Sequence, residues 1–514
     1  MPGSMTDTLA TRQIDTQSSE PKLHFPRSRI QVAKTLHNAR ESPGCSALHV
    51  GACAFRLSAN RARIHVRMTT TAKRLAKGFT FRISSGNCGE VHGRNGQLSR
   101  ILIRAKVSPF DDNDTPTTLK KSLLGGNSGN LLFAYSTTRL LDTGDNELSF
   151  IADYRVSSGK VNADWVNEHC DHLVLPMANS FRATYMKHLE AWAKLIAGLK
   201  VPCTVVGIGV QMGNKEKYDD PHEYDGAVKA FVSAVLDHSP KIAVRGEVTA
   251  AYLNHLGFKD VEVTGCPSMA IAGPDFPIKG LPGIDRNSSG TVTGSVNSPV
   301  AFQNFMRKTM KKMTNCYFVP QYNDDLALIY YGVPITRVKA EKHGYPRTID
   351  DPVFTEDRAR FFINIKSMLE FNRTMDFNFG SRIHGCISNI VCGVPSVLFS
   401  QDKRVGELAS YHHLPLFKFK EIGAFSSIES FYDKIDLNYM RQGHQERFER
   451  LIAYLDANDL PHIWKNGKPD VFPADEKLKG KEFHAPVRAC CAELQGAELE
   501  KRLELGRQLY PQKF

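Results

Sequence analysis

The sequence predicts an α/β fold in two parallel-layered lobes, and three observations predict it. The chain has 514 residues, too many for one ordinary core and enough for two domains with appendages. From about residue 120, short apolar runs alternate with amphipathic stretches, the pattern of strands covered by helices in a parallel sheet. Between residues 273 and 291 that alternation gives way to a stretch dense in Gly, Pro, Asn and Ser, which reads as the connection between lobes.

In the first lobe, a tight turn at Asn127 to Asn130 opens a helix from Asn130 to Leu141. Leu173 to Leu175 is a short buried strand stopped by Pro176. Arg182 to Leu199 reads as a helix and Thr204 to Ile208 as the next strand, closed by Gly209. Val228, Phe231, Val232, Val235 and Leu236 keep the i, i+3, i+4, i+7, i+8 spacing of a helix face. Lys241 to Val244 is a strand and Val248 to Leu256 a helix, with Gly257 where a left-handed C-cap is wanted. Val261 to Thr264 closes the series. In the second lobe, strands are expected at Tyr317 to Val319, Val333 to Val338, Phe377 to Phe379 and Val397 to Phe399. Helices are expected over about 356–372 and from His384, and helical character dominates 427–456. The resulting division is a basic N-terminal segment (1–110), a first lobe (115–275), a linker (276–291), a second lobe (292–425) and a C-terminal helical extension (426–514).

The formal net charge of +12 is not spread through the chain. Residues 1–110 hold 18 Lys and Arg against 5 Asp and Glu, which leaves the remainder at −1. The basicity therefore belongs to the N-terminal segment, and no nucleic-acid partner follows for the folded body. That segment is Ser-, Thr-, Arg- and Ala-rich and without sustained periodicity, so it is expected to be disordered. An organelle transit peptide has the same composition, and Met68 is a plausible internal start. No apolar run approaches the ~18 to 20 residues of a membrane helix. The 11 cysteines lack any C-x-x-C spacing. They read as reduced thiols of a cytosolic-type compartment rather than a disulfide framework or zinc site. The expected location is cytoplasmic, or an organelle if residues 1–110 contain a transit peptide.

Two segments share one design. Strand Ile242 to Val244 runs into Arg245-Gly246-Glu247 and a helix, and strand Phe377 to Phe379 runs into Gly380-Ser381-Arg382-Ile383-His384-Gly385 and a helix. Each places an Arg at the carboxyl end of a strand beside a helix start, the edge where open α/β sheets bind ligands. Free N–H groups and the positive helix end favour an anion there, and a guanidinium matches carboxylate and phosphate oxygens. One such unit per lobe suggests a cleft that clamps a doubly anionic small molecule. P-loop and G-x-S-x-G patterns do not occur.

The stretch DFNFGSRIHGCISNIVCGVPSVLFSQDKRVGELASYHHLP (376–415) resembles the C-terminal signature of the polysaccharide pyruvyl transferase family, with its Arg-x-His-Gly core, Gly-Val-Pro turn and Asp-x-Arg-x-x-Glu-Leu segment. AVRGEVTAAYLNHLGFKDVEVTGCPS (243–268), NSGNLLFAYSTTRLL (127–141) and LVLPMANSFR (173–182) are similar to earlier motifs of the same family, in the same order. The resemblance implies a glycosyltransferase-B-like pair of Rossmann-like lobes and transfer of pyruvate from phosphoenolpyruvate to a hexose-containing glycan as a cyclic ketal. It implies Arg245 and Arg382 as donor binders and His384 as the acid that protonates the enol carbon, with no metal and no cofactor besides the donor substrate. Asn127, Gly129, Asn130, Asn179 and Gln211 are further candidate substrate contacts. Glu407 could orient Arg382 or bind acceptor hydroxyls, or equally form a salt bridge on a helix start, and Tyr322 and His343 are possible acceptor contacts. Pro176-Met177-Ala178-Asn179 departs from the family's frequently Gly-rich turn, which bears on the acceptor more than on the reaction. The rival readings are a nucleotide-sugar glycosyltransferase of the same architecture and a non-catalytic carbohydrate-binding relative.

Overall fold

The computed structural model describes residues 98–213, 215–336 and 344–514. Within them the strands are parallel and short, and the central strands His172–Pro176, Cys203–Val206, Gly290–Thr293, Phe377–Gly380 and Ser396–Phe399 are buried throughout, as expected of strands covered by helices on both faces. The first sheet contains β1 (Ser99–Arg104), β2 (Asn146–Ile151), β3 (His172–Pro176) and β4 (Cys203–Val206), in the order β2-β1-β3-β4. β5 (Ile242–Val244) and β6 (Val261–Val263) extend it through a parallel bridge between Ile208 and Val244. The second sheet contains β7 (Gly290–Thr293), β8 (Cys316–Phe318), β9 (Phe377–Gly380), β10 (Ser396–Phe399) and β11 (Leu416–Phe417), in the order β11-β10-β9-β7-β8.

Counted from its own first strand, each sheet starts in the doubly wound order 2-1-3-4-5. The order reverses between β1 and β3 in one lobe and between β7 and β9 in the other. A crevice opens at the carboxyl edge of such a reversal, and in this chain both crevices open into one cleft between the lobes. The expected pair of Rossmann-like, glycosyltransferase-B-like lobes is therefore present. Six helices matter below: α1 (Gly129–Leu141), α2 (Glu247–His255), α3 (Ile383–Ile390), α4 (Lys403–Tyr411), α5 (His444–Ala457) and α6 (Gly496–Leu509).

Several boundaries differ from the sequence reading. The first lobe begins at Ser99, inside the segment expected to be disordered; residues 1–97 lie outside the described residues. SRILIR is too short for its periodicity to stand out. It becomes a strand because β2 and β3 pair with it on both sides, leaving Ile101 and Ile103 fully buried. The expected linker overruns β7, where a Cβ on Gly290 would lie 2.4 Å from the Phe377 ring. Val333 and Ile335 are buried, but residues 333–336 form no strand, and 337–338, with His343, lie outside the described residues. The helix expected from 356 starts at Ile365, where the Asn364 side chain accepts from the Ser367 N–H at 2.9 Å. Before it, Ala359 and Phe361 instead form isolated bridges to Phe318 and Val487.

The C-terminal region is not an extension of the second lobe. α5 crosses back onto the first sheet, packing Phe448, Leu451 and Leu455 with Ile101, Ile103 and Val206. Tyr454 Oη donates to the Val205 carbonyl at 2.7 Å. The chain then returns to the second lobe, where α6 lies against the Asn323–Tyr331 helix so closely that a Cβ on Gly506 would sit 2.4 Å from the Tyr331 carbonyl.

Buried histidines make the fold acid-sensitive. His172, on β3, shares a 2.8 Å hydrogen bond with Thr204 and is pushed down to about 4 by burial. His412 is held well below the ordinary histidine range, first by burial and then by neighbouring cations. An unfolded imidazole titrates near ~6.5. The unfolded chain therefore binds the extra protons in the window below that value, so stability is complete above it and is lost as pH falls through about 4. The thermal midpoint is expected to drop between pH 7 and 5, and His172→Gln to flatten that slope. A midpoint independent of pH over this range would refute the assignment.

Candidate active site

The cleft has a volume of about 1490 Å³ and is lined from both lobes. Its second-lobe jaw starts where β9 ends. Gly380 and Gly385 bracket the Arg-x-His segment because Thr293, at the end of β7, packs against both; a Cβ would meet it at 2.0 Å and 2.5 Å. The glycines thus serve the approach of β7 rather than that of a ligand. Arg382 is the extended residue before α3, whose first turn has no side-chain cap and keeps free N–H groups. The Arg382 guanidinium donates from Nη1 to Tyr322 Oη at 2.5 Å and from Nε to Gln321 Oε1 at 3.4 Å, and sits 4.5 Å from the Tyr322 ring centre. Both hydrogen-bond partners are neutral, so its charge is not cancelled by them.

The first-lobe jaw is Arg245, after β5. It is 3% exposed and occupies space that only Gly209 leaves open, since a Cβ there would overlap its side chain. Its Nη1 donates to Asn179 Oδ1, while Nε and Nη2 are buried without a partner. Burial lowers its pKa, an indication that the charged form is held at a cost. A buried cation with two idle donors facing a cleft is arranged for an anion.

His384, in the first turn of α3, lies between these arginines and is half-buried. Burial, and then the Arg245, Arg382 and Arg404 guanidiniums, push its imidazole down to about 3. It is therefore neutral in the empty cleft at pH 7. Its Nε2 is 3.7 Å from the Cys266 thiol, which burial keeps protonated, and its ring meets Phe133 edge-on at 6.0 Å.

The other expected residues divide. Asn127, Asn130, Asn179 and Gln211 line the cleft. Asn127 Oδ1 accepts from the Gly129 N–H at 3.0 Å, and Asn130 Nδ2 donates to the Leu124 carbonyl at 2.8 Å, so both also brace the turn. Tyr322 lines the cleft as well. Gly129 does not; it is the floor beneath His384, whose Cβ would be 2.9 Å from an added methyl. Glu407 neither touches Arg382 nor faces the cleft. It reaches across the lobes from α4 to the first turn of α2, accepting from Thr249 N at 2.6 Å and Thr249 Oγ1 at 3.2 Å. A substrate-binding role is replaced by an interlobe helix cap.

Three cleft residues escaped the sequence reading as individuals. Arg104 sits at the end of β1, inside the segment expected to be disordered. Arg182 and Arg404 stand within matched motifs, and only the fold turns them inward. Arg404 pairs with Asp402 at 2.8 Å and reaches Gln211 at 3.3 Å; Arg104 pairs with Asp153 at 2.6 Å. As a whole the site can hold a small polyanion between two lobes with an imidazole at its centre.

The sequence profile of the family described as polysaccharide pyruvyl transferase matches residues 127–403. Among solved structures, the chain is similar to a putative UDP-N-acetylglucosamine 2-epimerase of Listeria monocytogenes, with 11% identity over 73% of this chain and 100% of that one and a TM-score of 0.41. It is also similar to the UDP-GlcNAc 2-epimerase of Neisseria meningitidis (11% identity, 70% and 99% covered, TM-score 0.37). A glycosyltransferase of Streptomyces nogalater is a third (14% identity, 74% and 98% covered, TM-score 0.28). No match was found among curated protein sequences.

Proposed function

The chain belongs to the polysaccharide pyruvyl transferase family, and from that premise we propose that it transfers pyruvate from phosphoenolpyruvate to two hydroxyls of a hexose-containing glycan. The observation that carries this reading is the pairing of Arg245 and Arg382, one from each lobe and neither matched by a carboxylate among the described residues, around a neutral His384. Phosphoenolpyruvate presents a carboxylate and a phosphate, the two anions that facing guanidiniums bind well.

The chemistry needs one proton at the start. The enol carbon C3 takes a proton from His384, the double bond's electrons forming the new C–H bond, and C2 becomes an oxocarbenium-like electrophile. One sugar hydroxyl adds to C2 and gives up its proton, which restores that of His384. The C2–O bond to phosphate then breaks, the second hydroxyl oxygen bonds to C2, and its proton leaves with inorganic phosphate. The net change is phosphoenolpyruvate plus a diol giving a cyclic ketal plus phosphate.

Phosphate release from phosphoenolpyruvate is expected to depend on a hexose-containing acceptor. Consumption of a UDP-hexose with no phosphoenolpyruvate turnover would favour the glycosyltransferase reading instead. Binding of both without any turnover would favour the non-catalytic one. Gly129→Ala is expected to lower turnover on the order of 10²-fold, because a methyl 2.9 Å from His384 Cβ must displace it and small misplacements of reacting groups cost that much. Turnover at the wild-type rate in that variant would show that the position of His384 does not matter.

A further inference from the structure

Resting on the donor reading above, we propose that the cleft holds a second anion site, built around Arg182, for a carboxylate, sulfate or phosphate group carried by the acceptor glycan. The first argument is charge balance. A protonated His384 with Arg245 and Arg382 carries three positive charges, which matches the carboxylate and phosphate dianion of phosphoenolpyruvate. Of the other cleft arginines, Arg104 is matched by Asp153 and Arg404 by Asp402. Arg182 makes no ion pair among the described residues, Asp153 acting on it only at longer range while it pairs with Arg104, and its Nε is buried without any hydrogen bond. It is the guanidinium left over.

Its position sets it apart from the donor clamp. Arg245, Arg382 and Arg404 act on His384, whereas Arg182 lies beside Tyr185, among Arg404, Arg104 and the Asp153 carboxylate that Arg104 engages. Tyr185 supports it, with the Arg182 guanidinium 5.6 Å and that of Arg104 5.8 Å from the ring centre. Arg104 in turn donates to Tyr185 Oη at 2.9 Å. Lys106 borders the same cleft and adds to its positive character. Burial works against the charge on Arg182, and a desolvated cation is kept at such a place when an anion completes it.

The cleft also has the room. At about 1490 Å³ it exceeds the ~300 to 1,000 Å³ that drug-sized ligands fill, and phosphoenolpyruvate is smaller than those. A hexose seated beside the donor would leave a substituent within reach of the far wall, where Arg182 offers its planar fork to a carboxylate or an oxyanion ester.

The test uses three sugars that differ in one substituent: D-galactose, D-galacturonate and D-galactose 6-sulfate. Binding is measured by calorimetry to full-length His384→Ala protein loaded with phosphoenolpyruvate, so that turnover does not interfere. At least one anionic sugar is expected to bind roughly 10-fold to 100-fold more tightly than galactose, the range for a hydrogen bond to a charged group. Which one does so separates a carboxylate from an ester. Adding Arg182→Gln should abolish that preference with phosphoenolpyruvate affinity unchanged, and Arg182→Lys should restore part of it. Equal binding of all three sugars, or a preference that survives Arg182→Gln, would overturn the site. If phosphoenolpyruvate itself does not bind, the donor reading fails. The same titrations in an Arg245→Met/Arg382→Met protein then decide the Arg182 site alone.

Discussion

Replacing His384 with Ala is expected to lower turnover by ~10² to 10⁴, the usual contribution of a positioned general acid, while phosphoenolpyruvate affinity changes little. The separation follows from geometry. The side chains proposed to contact the donor's anions, Arg245 and Arg382, do not hydrogen-bond to His384. The imidazole's contacts are instead Phe133, the Cys266 thiol and the floor at Gly129. Its pKa makes the prediction sharper. In the empty cleft the ring is held at about 3, first by burial and then by three guanidiniums, and so is neutral at pH 7. A bound polyanion offsets the field of those guanidiniums and raises that pKa. Donor binding should therefore take up a proton, and only the loaded site should hold an acid. Calorimetry in buffers of different ionisation enthalpy reads that proton directly. Wild-type turnover in the Ala variant would remove the acid role, and donor binding with no proton uptake would remove the charging step.

Arg245→Met is the second large effect, and it should raise stability while it lowers donor affinity. Met fills much of the space of an arginine stem without the charge. Two buried donors of Arg245 have no partner in the empty protein, and burial opposes its charge. Removing an unpaired buried cation should raise the thermal midpoint. The same change deletes hydrogen bonds to the donor's anion, each worth ~1.5 to 3 kcal/mol, so the KM for phosphoenolpyruvate should rise about 10²-fold or more. Arg382→Ala should also weaken donor binding, but without the gain in stability, since Tyr322 and Gln321 already occupy that guanidinium. A lower midpoint in Arg245→Met with unchanged KM would make Arg245 a structural residue and undo the clamp. Stability held back at a functional position is the ordinary trade of a preformed site.

Legibility in the sequence followed the range of the interactions involved. The Asp225–Leu236 helix was plain because its core contacts repeat along one face, and β3, β9 and β10 were plain because strands buried on both faces are short apolar runs. The strand-to-helix junctions at Arg245 and Arg382 could be read for the same local reason: a strand, an Arg and a helix start follow one another within a few residues. Gly129 and Glu407 were found as motif positions, yet their roles were not. What decides them is a side chain from elsewhere, His384 over Gly129 and Thr249 beneath Glu407.

Sequence alone determined the fold class, the two-lobed organisation, the family and the central Arg–His–Arg trio, because each is written in short patterns that local physics reads. Tertiary structure decided the rest. It recruited SRILIR as a strand between β2 and β3 and sent α5 back across to the first lobe. It matched Arg104 and Arg404 with carboxylates and left Arg182 and Arg245 without them. An arginine looks the same in any sequence; whether its charge is cancelled depends on which carboxylates the folded chain brings within a few ångströms, and the sheet order sets that. The segment around His384 opened as a motif and ends as one jaw of a cleft whose far wall holds an unclaimed positive charge.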